Sequence, residues 1–177
     1  MGAFAYRILG ALVLDPAVYE YVESRRSSTG AAVVVVLASS VAAGIGGAGV
    51  AGPTIASLGL IAILALATWL SWASLIFYVG GLIMPVRQTQ VDYGQLLRTI
   101  GFAAAPGLFQ VFALFTAVAV PVFILAWTWM LAAMVVAVRQ ALDFQSTWRA
   151  LAVCVVTLAI VLAITLAVAL ALQTQVS

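Results

Sequence analysis

The chain has 177 residues, 66% of them hydrophobic and only 7% charged. A soluble domain carries about 25% charged residues, so this composition, with a mean hydropathy of +1.25, excludes a water-soluble globule and indicates a membrane protein. The formal charge of +2 includes no basic tract, which argues against a nucleic-acid partner.

The first charge group is Arg7, Asp15, Glu20, Glu23, Arg25 and Arg26. Residues 1–30 are predicted to form a cytoplasmic, interfacial amphipathic segment of two short helices. Phe4, Ile8, Leu9, Leu12 and Val13 recur at helical spacing and make one apolar face. Asp15 caps a second helix, with Pro16 at its first position. Glu20 and Glu23 precede Arg25 and Arg26 in that helix, as its dipole favours. The apolar run 8–14 is interrupted by Asp15-Pro16 and does not read as a cleaved signal.

Residues 27–86 are uncharged, and a crossing needs about 20 apolar residues, so this stretch holds two spans, predicted at 31–50 and 55–83. Ala42, Gly44, Gly46, Gly47 and Ala48 in the first follow a small-xxx-small pattern that lets helices approach closely. Their neighbour is either another span of this chain, the favoured reading, or another protein. Gly52-Pro53 supplies the turn between the two spans.

Arg87, Asp92 and Arg98 form the second charge group and Arg139, Asp143 and Arg149 the third. These six are candidate interfacial anchors. The uncharged residues between the groups hold spans at 99–118 and 121–138, and the uncharged end of the chain holds a fifth at 147–172. In each group an Asp precedes an aromatic residue and an Arg follows six residues after the Asp. Asp92 with Gln95 reads as a capping box, and Arg98 is placed to snorkel to the interface. The likeness of the two groups has two readings: internal duplication, or convergent caps on re-entering helices. Pro106 predicts a break in the third span. Gln110 is a candidate intramembrane polar site, for a packing hydrogen bond or, in the sharper reading, for transport. Cys154 reads as a small apolar core residue.

The expected fold is all-α: a polytopic transmembrane bundle of five spans over residues 31–177, with the short interfacial helices in front. Even numbers of crossings between the charge groups put all the arginines on one face. The positive-inside rule makes that face cytoplasmic and leaves the C-terminus outside.

There is no His in the chain, and no carboxylate pair, cysteine cluster or phosphate loop is evident. Acid–base catalysis, nucleophilic catalysis, metal binding and nucleotide binding therefore lack their usual residues. No catalytic, cofactor-binding or metal-binding residue is assigned, no cofactor is expected, and the chain is read as not an enzyme.

Three stretches carry a family likeness: Leu14-Asp15-Pro16-Ala17-Val18-Tyr19, then 96–106 from Leu96-Leu97-Arg98 to Pro106, and 146–153 from Ser146-Thr147-Trp148 to Val153. With the five-span, inside-to-outside topology, the chain resembles the Yip family of Rab-interacting-type membrane proteins, in its prokaryotic branch. The resemblance implies a non-enzymatic membrane organiser. Relatives with long cytoplasmic N-terminal regions use them to engage trafficking partners, whereas this chain has only a short one. The residues and the resemblance together give a scaffold, adaptor or accessory subunit of a larger membrane assembly, respiratory or photosynthetic assemblies included. The alternative is a small-molecule or lipid transporter. Membrane lipids and other integral membrane proteins are the expected partners, and the oligomeric state is left open. The Lys-free, Ala/Val-rich composition points to a bacterium with a GC-rich genome, and so to its inner membrane.

Overall fold

The computed structural model describes residues 2–49, 52–85 and 92–176, apart from the side chains of 168 and 171–176. The described residues are mostly helical and include no strand. Helices α1 (Gly2–Leu12) and α2 (Pro16–Ser24) come first, then α3 (Ser28–Ala48) and α4 (Ile55–Tyr78), which continues as a π-turn over Val79–Ile83. Helix α5 (Tyr93–Ala103) passes into a 3-10 segment over Ala105–Leu114, and a short 3-10 turn at Thr116–Val118 leads to α6 (Ala119–Ala141) and α7 (Thr147–Val176). Five of these runs are long and apolar enough to cross a membrane: Ser28–Ala48, Ile55–Ile83, Tyr93–Leu114, Thr116–Ala141 and Thr147–Ala167. The chain is an integral membrane protein with the predicted number of spans.

Local chemistry sets the corners. Helix α1 ends with Leu14 in the left-handed region at φ 61°. The Asp15 and Leu14 amides return to the Gly10 and Ala11 carbonyls at 2.9 and 3.3 Å, which is the Schellman arrangement. Asp15 then accepts from the Ala17 amide at 3.0 Å, and Pro16 opens α2. A Cβ on Gly10 would collide with Val18, so glycine there allows α1 and α2 to close on each other. At the far end of α3, Gly49 and Gly52 have φ of 62° and 67°, a conformation glycine adopts without steric cost. Thr54 caps α4 by accepting from the Ser57 amide at 3.2 Å.

Span three changes helix type where Pro106 requires it. Proline has no amide to donate and its ring crowds the carbonyl four residues back, so α5 stops at Ala103 and a tighter helix continues. At rises of about 1.5 and 2.0 Å per residue the two pieces reach roughly 36 Å, against a hydrocarbon core of about 30 Å. The stretch lets a helix that starts among the charges still reach the opposite side.

This third span is the centre of the bundle. In its most apolar 18-residue stretch 67% of the residues are buried, against 33% or less in the corresponding stretch of each of the others. Spans one, two and four pack round it, and span five packs on four and two. The other four turn much of their apolar surface outward, where lipid replaces core. Ala11, Tyr19 and Val22 of the first two helices belong to the same buried cluster as Leu96, Phe102 and Val138. The N-terminal segment is thus built into the bundle as well as lying at its edge.

Candidate functional site at the charged end

Among the described residues, charge, burial and hydrogen bonding converge where helix α2 attaches to spans three and four. Arg98, one turn into span three, is 5% exposed. Its Nε donates to the carbonyls of Val22 and Glu23 at 3.2 and 3.1 Å, and Nη2 donates to the Glu23 carbonyl as well. These carbonyls belong to the last turn of α2, whose acceptors have no partner within the helix. A guanidinium supplies both donors and a positive charge at the negative end of the helix dipole. Arg98 was expected to snorkel to the interface as an anchor; it turns inward because an unpaired helix end lies within its reach.

Three further bonds hold the segment. Trp129 Nε1 of α6 donates to the Leu12 carbonyl at 2.8 Å, at the end of α1. Gln140 Nε2 donates to the Pro16 carbonyl at 3.3 Å. Within the pair, the buried Tyr19 hydroxyl donates to the Ala11 carbonyl at 3.3 Å. Desolvation holds that phenol well above its ordinary pKa.

Glu23 carries the perturbed acid of this region. Burial raises its pKa from 4.5 to about 7, Asp143 and Glu20 add to the rise, and Arg98 opposes it. The carboxyl is thus part-protonated near neutral pH, while its own backbone carbonyl receives Arg98.

Asp92 and Asp143, alike in sequence, do different jobs. Asp92 accepts from the Gly94 amide at 2.7 Å and starts α5 as predicted. Asp143 has φ 51° and ends α6. The Phe144 amide returns to the Arg139 carbonyl at 2.9 Å and the Asp143 amide to the Gln140 carbonyl at 3.0 Å, a second Schellman corner. Arg139 Nε donates to the Phe144 carbonyl and Nη1 to Thr147 Oγ1, each at 3.3 Å, which pins the turn into α7. Arg149 is exposed, unlike its counterpart Arg98, so the matching spacing does not extend to matching geometry. Arg87 lies outside the described residues.

The small residues of α3 divide by direction. A Cβ on Gly46 would strike the Gln110 carbonyl and come within 3.0 Å of Ala113, so here α3 meets the backbone of span three. Ala42 is buried on the same face, and Gly44 faces Ile61 of α4 at 2.7 Å from a built Cβ. Gly47 and Ala48 are exposed. Two seam residues were not singled out from sequence. Ala32 approaches Gly101, and Ser39 donates to the Ala104 carbonyl at 2.7 Å and touches Gly107. Ala32, Ser39 and Gly46 recur every seventh position, a seam period that could have picked them out beside Gly101 and Gly107. Gln110 is buried, and its Nε2 lies 3.9 Å from the Met130 sulfur of α6. It is remote from the α2 cluster, at the opposite end of span three.

Each stretch that carries the family likeness has a structural task. The first makes the α1–α2 corner, the second carries Arg98 and ends at the Pro106 break, and the third starts α7. Comparisons with curated proteins and with solved structures give no match. The family model of the Yip1 domain matches residues 10–168, from the end of α1 into the last span. By this match, which takes in nearly the whole bundle, the chain belongs to the Yip1 family.

Proposed function

We propose that this chain is a non-enzymatic scaffold, adaptor or accessory subunit that works beside other membrane proteins, through a rigid charged face made by α1, α2 and the corners between the spans. The observation that carries this reading is the clamp of Arg98 on the carbonyls of Val22 and Glu23. A surface segment serving only as an anchor needs an apolar face and some cations. It does not need a buried guanidinium from a distant span, nor the Trp129 bond to Leu12. Such bonds hold a segment in one shape, as a docking surface requires for low ordering cost.

The reading places the charged face in the cytoplasm, the C-terminus outside, and the chain in the inner membrane of a bacterium, within the prokaryotic branch of the family. The arginine-bearing ends and the Lys-free composition support this. Mild-detergent extraction of tagged protein, native sizing and mass spectrometry of what co-purifies test the reading. A stoichiometric larger complex supports it and names the process; a chain that migrates alone counts against it.

A second reading, a transporter of small molecules or lipids, draws on the ten-residue 3-10 stretch in span three. Such long runs are uncommon and often mark hinges. Gln110 lies in that stretch. Loss of a substrate-dependent flux in Gln110→Leu would favour transport, and unchanged flux would remove it.

A further inference from the structure

At the C-terminal end of α2, Arg7 and Arg25 converge on one ring. The Arg25 guanidinium lies 4.4 Å from the Tyr21 centroid and that of Arg7 lies 5.2 Å from it. Arg7 Nη1 donates to the fully buried Ser28 hydroxyl at 3.4 Å, while Arg7 Nε is buried with no partner. We infer that Arg7 and Arg25, set about Tyr21 beside Ser28, form a headgroup site for an anionic phospholipid.

Two guanidinium groups gathered on one ring repel each other, and the ring quadrupole offsets only part of that cost. A bound anion removes the repulsion. A phosphodiester suits the planar, multi-donor guanidinium better than a single point acceptor would. The acids of α2 are turned elsewhere: at 3.6 residues per turn, Glu23 lies about 160° and Glu20 about 100° round the helix from Tyr21. Among the described residues, the polar contacts of the two guanidinium groups are this ring and Ser28. Depth selects the lipid as the source of the anion. Helix α1, which carries Arg7, leaves Tyr6 and Leu9 largely exposed, as is Val13 just after it, and such a face lies among acyl chains with its cations at headgroup level. The site lies on the face that the scaffold reading invokes but uses none of the residues of the Arg98 clamp, and lipid retention is read without any protein partner.

The test is lipid retention. The full chain is reconstituted in phosphatidylcholine vesicles with a minor fraction of phosphatidylglycerol, released gently, and its bound lipids are counted by native mass spectrometry. Phosphatidylglycerol should be retained in excess of its vesicle fraction. Arg25→Gln should lower that excess about fivefold, and the pair Arg7→Gln/Arg25→Gln should abolish it. Arg25 is exposed and lies outside both helices, so the single variant reports even where the double variant does not fold. Arg149→Gln, an exposed arginine at the start of α7, should retain lipid normally. Undiminished retention in Arg25→Gln overturns the proposal, as does an equal loss in Arg149→Gln. Displacement by inorganic phosphate at millimolar concentration would make the ligand a free anion and overturn the lipid assignment.

Discussion

Replacing Arg98 with Met removes the guanidinium and keeps most of the apolar stem, so it isolates the clamp on α2. Two carbonyls, of Val22 and Glu23, lose their donors. A hydrogen bond to a charged group contributes about 1.5–3 kcal/mol, and a cation at a helix C-terminus roughly 0.3–2 kcal/mol more. The Glu23 carbonyl lies in a half-buried residue at the edge of the bundle, where water replaces part of the loss. The net cost to docking of α2 is therefore about 3 kcal/mol, near the low end of the sum. At about 1.4 kcal/mol per decade this lowers the protection of the α2 amides roughly 100-fold. Hydrogen–deuterium exchange of the protein in nanodiscs reads it directly, with peptides from 16–24 as the probe and peptides from the middle of α6 as the reference. Arg98→Lys retains a charge without the fork and should fall between, at about tenfold. Two results refute the reasoning. One is a change in α2 of less than about threefold. The other is an equal loss in α6, which would make Arg98 a determinant of the whole bundle and not a local clamp.

Gly46→Val drives a side chain into the Gln110 backbone, where no rotamer gives relief. It should cost about 1–3 kcal/mol and lower the thermal midpoint in detergent, while Gly47→Val at an exposed site should leave it unchanged. Glu23 makes α2 docking pH-dependent. Its carboxyl is favoured neutral in the fold, so stability is full below about pH 4.5 and declines as pH rises through about 7. Exchange in 16–24 should quicken over that window, and Glu23→Gln should flatten the profile. Asp143→Asn keeps a residue tolerant of the left-handed corner and removes a charge that raises Glu23. The midpoint of the same profile should move to lower pH. Asp143→Val should instead cost about 1–2 kcal/mol by placing a branched side chain at positive φ, read as a lower thermal midpoint.

Much of the fold was legible because charge in a bilayer is costly. The uncharged stretches bounded by Arg26, Arg87, Arg98, Arg139 and Arg149 could be filled only by membrane-crossing helices, and helices of the required number fill them. The corners were legible where a single residue type carries the chemistry, as with Asp15-Pro16 and Asp92. They were not legible where the chain breaks the usual preference. Schellman corners normally show a glycine, yet here Leu14 and Asp143 occupy them. The spacing that Asp143 shares with Asp92 gives no sign that its backbone ends α6. The small residues of α3 were visible as a class, but which of them face span three depended on where Gly101 and Gly107 lie, and a single helix does not reveal that.

Arg98 shows why the site itself was hard to read. Near the end of an apolar span an arginine has two favourable fates, outward to headgroups and water or inward to a group that needs its donors. Sequence spacing favours neither, since Arg98 and Arg149 stand at equal distances after their aspartates. What separates them is the partner. The last turn of α2 ends beside Arg98 with its carbonyls unpaired, whereas Arg149 opens α7 at an exposed position. A helix end about 75 residues away in sequence has no local signature at the arginine. Its trace is in α2 itself: Tyr19 and Val22, apolar residues on a helix rich in charge, are fully buried, and a helix that buries such a face must be held by something on the bundle. The fate of a span-end arginine is therefore better read from the nearest short amphipathic helix than from the residues that flank it.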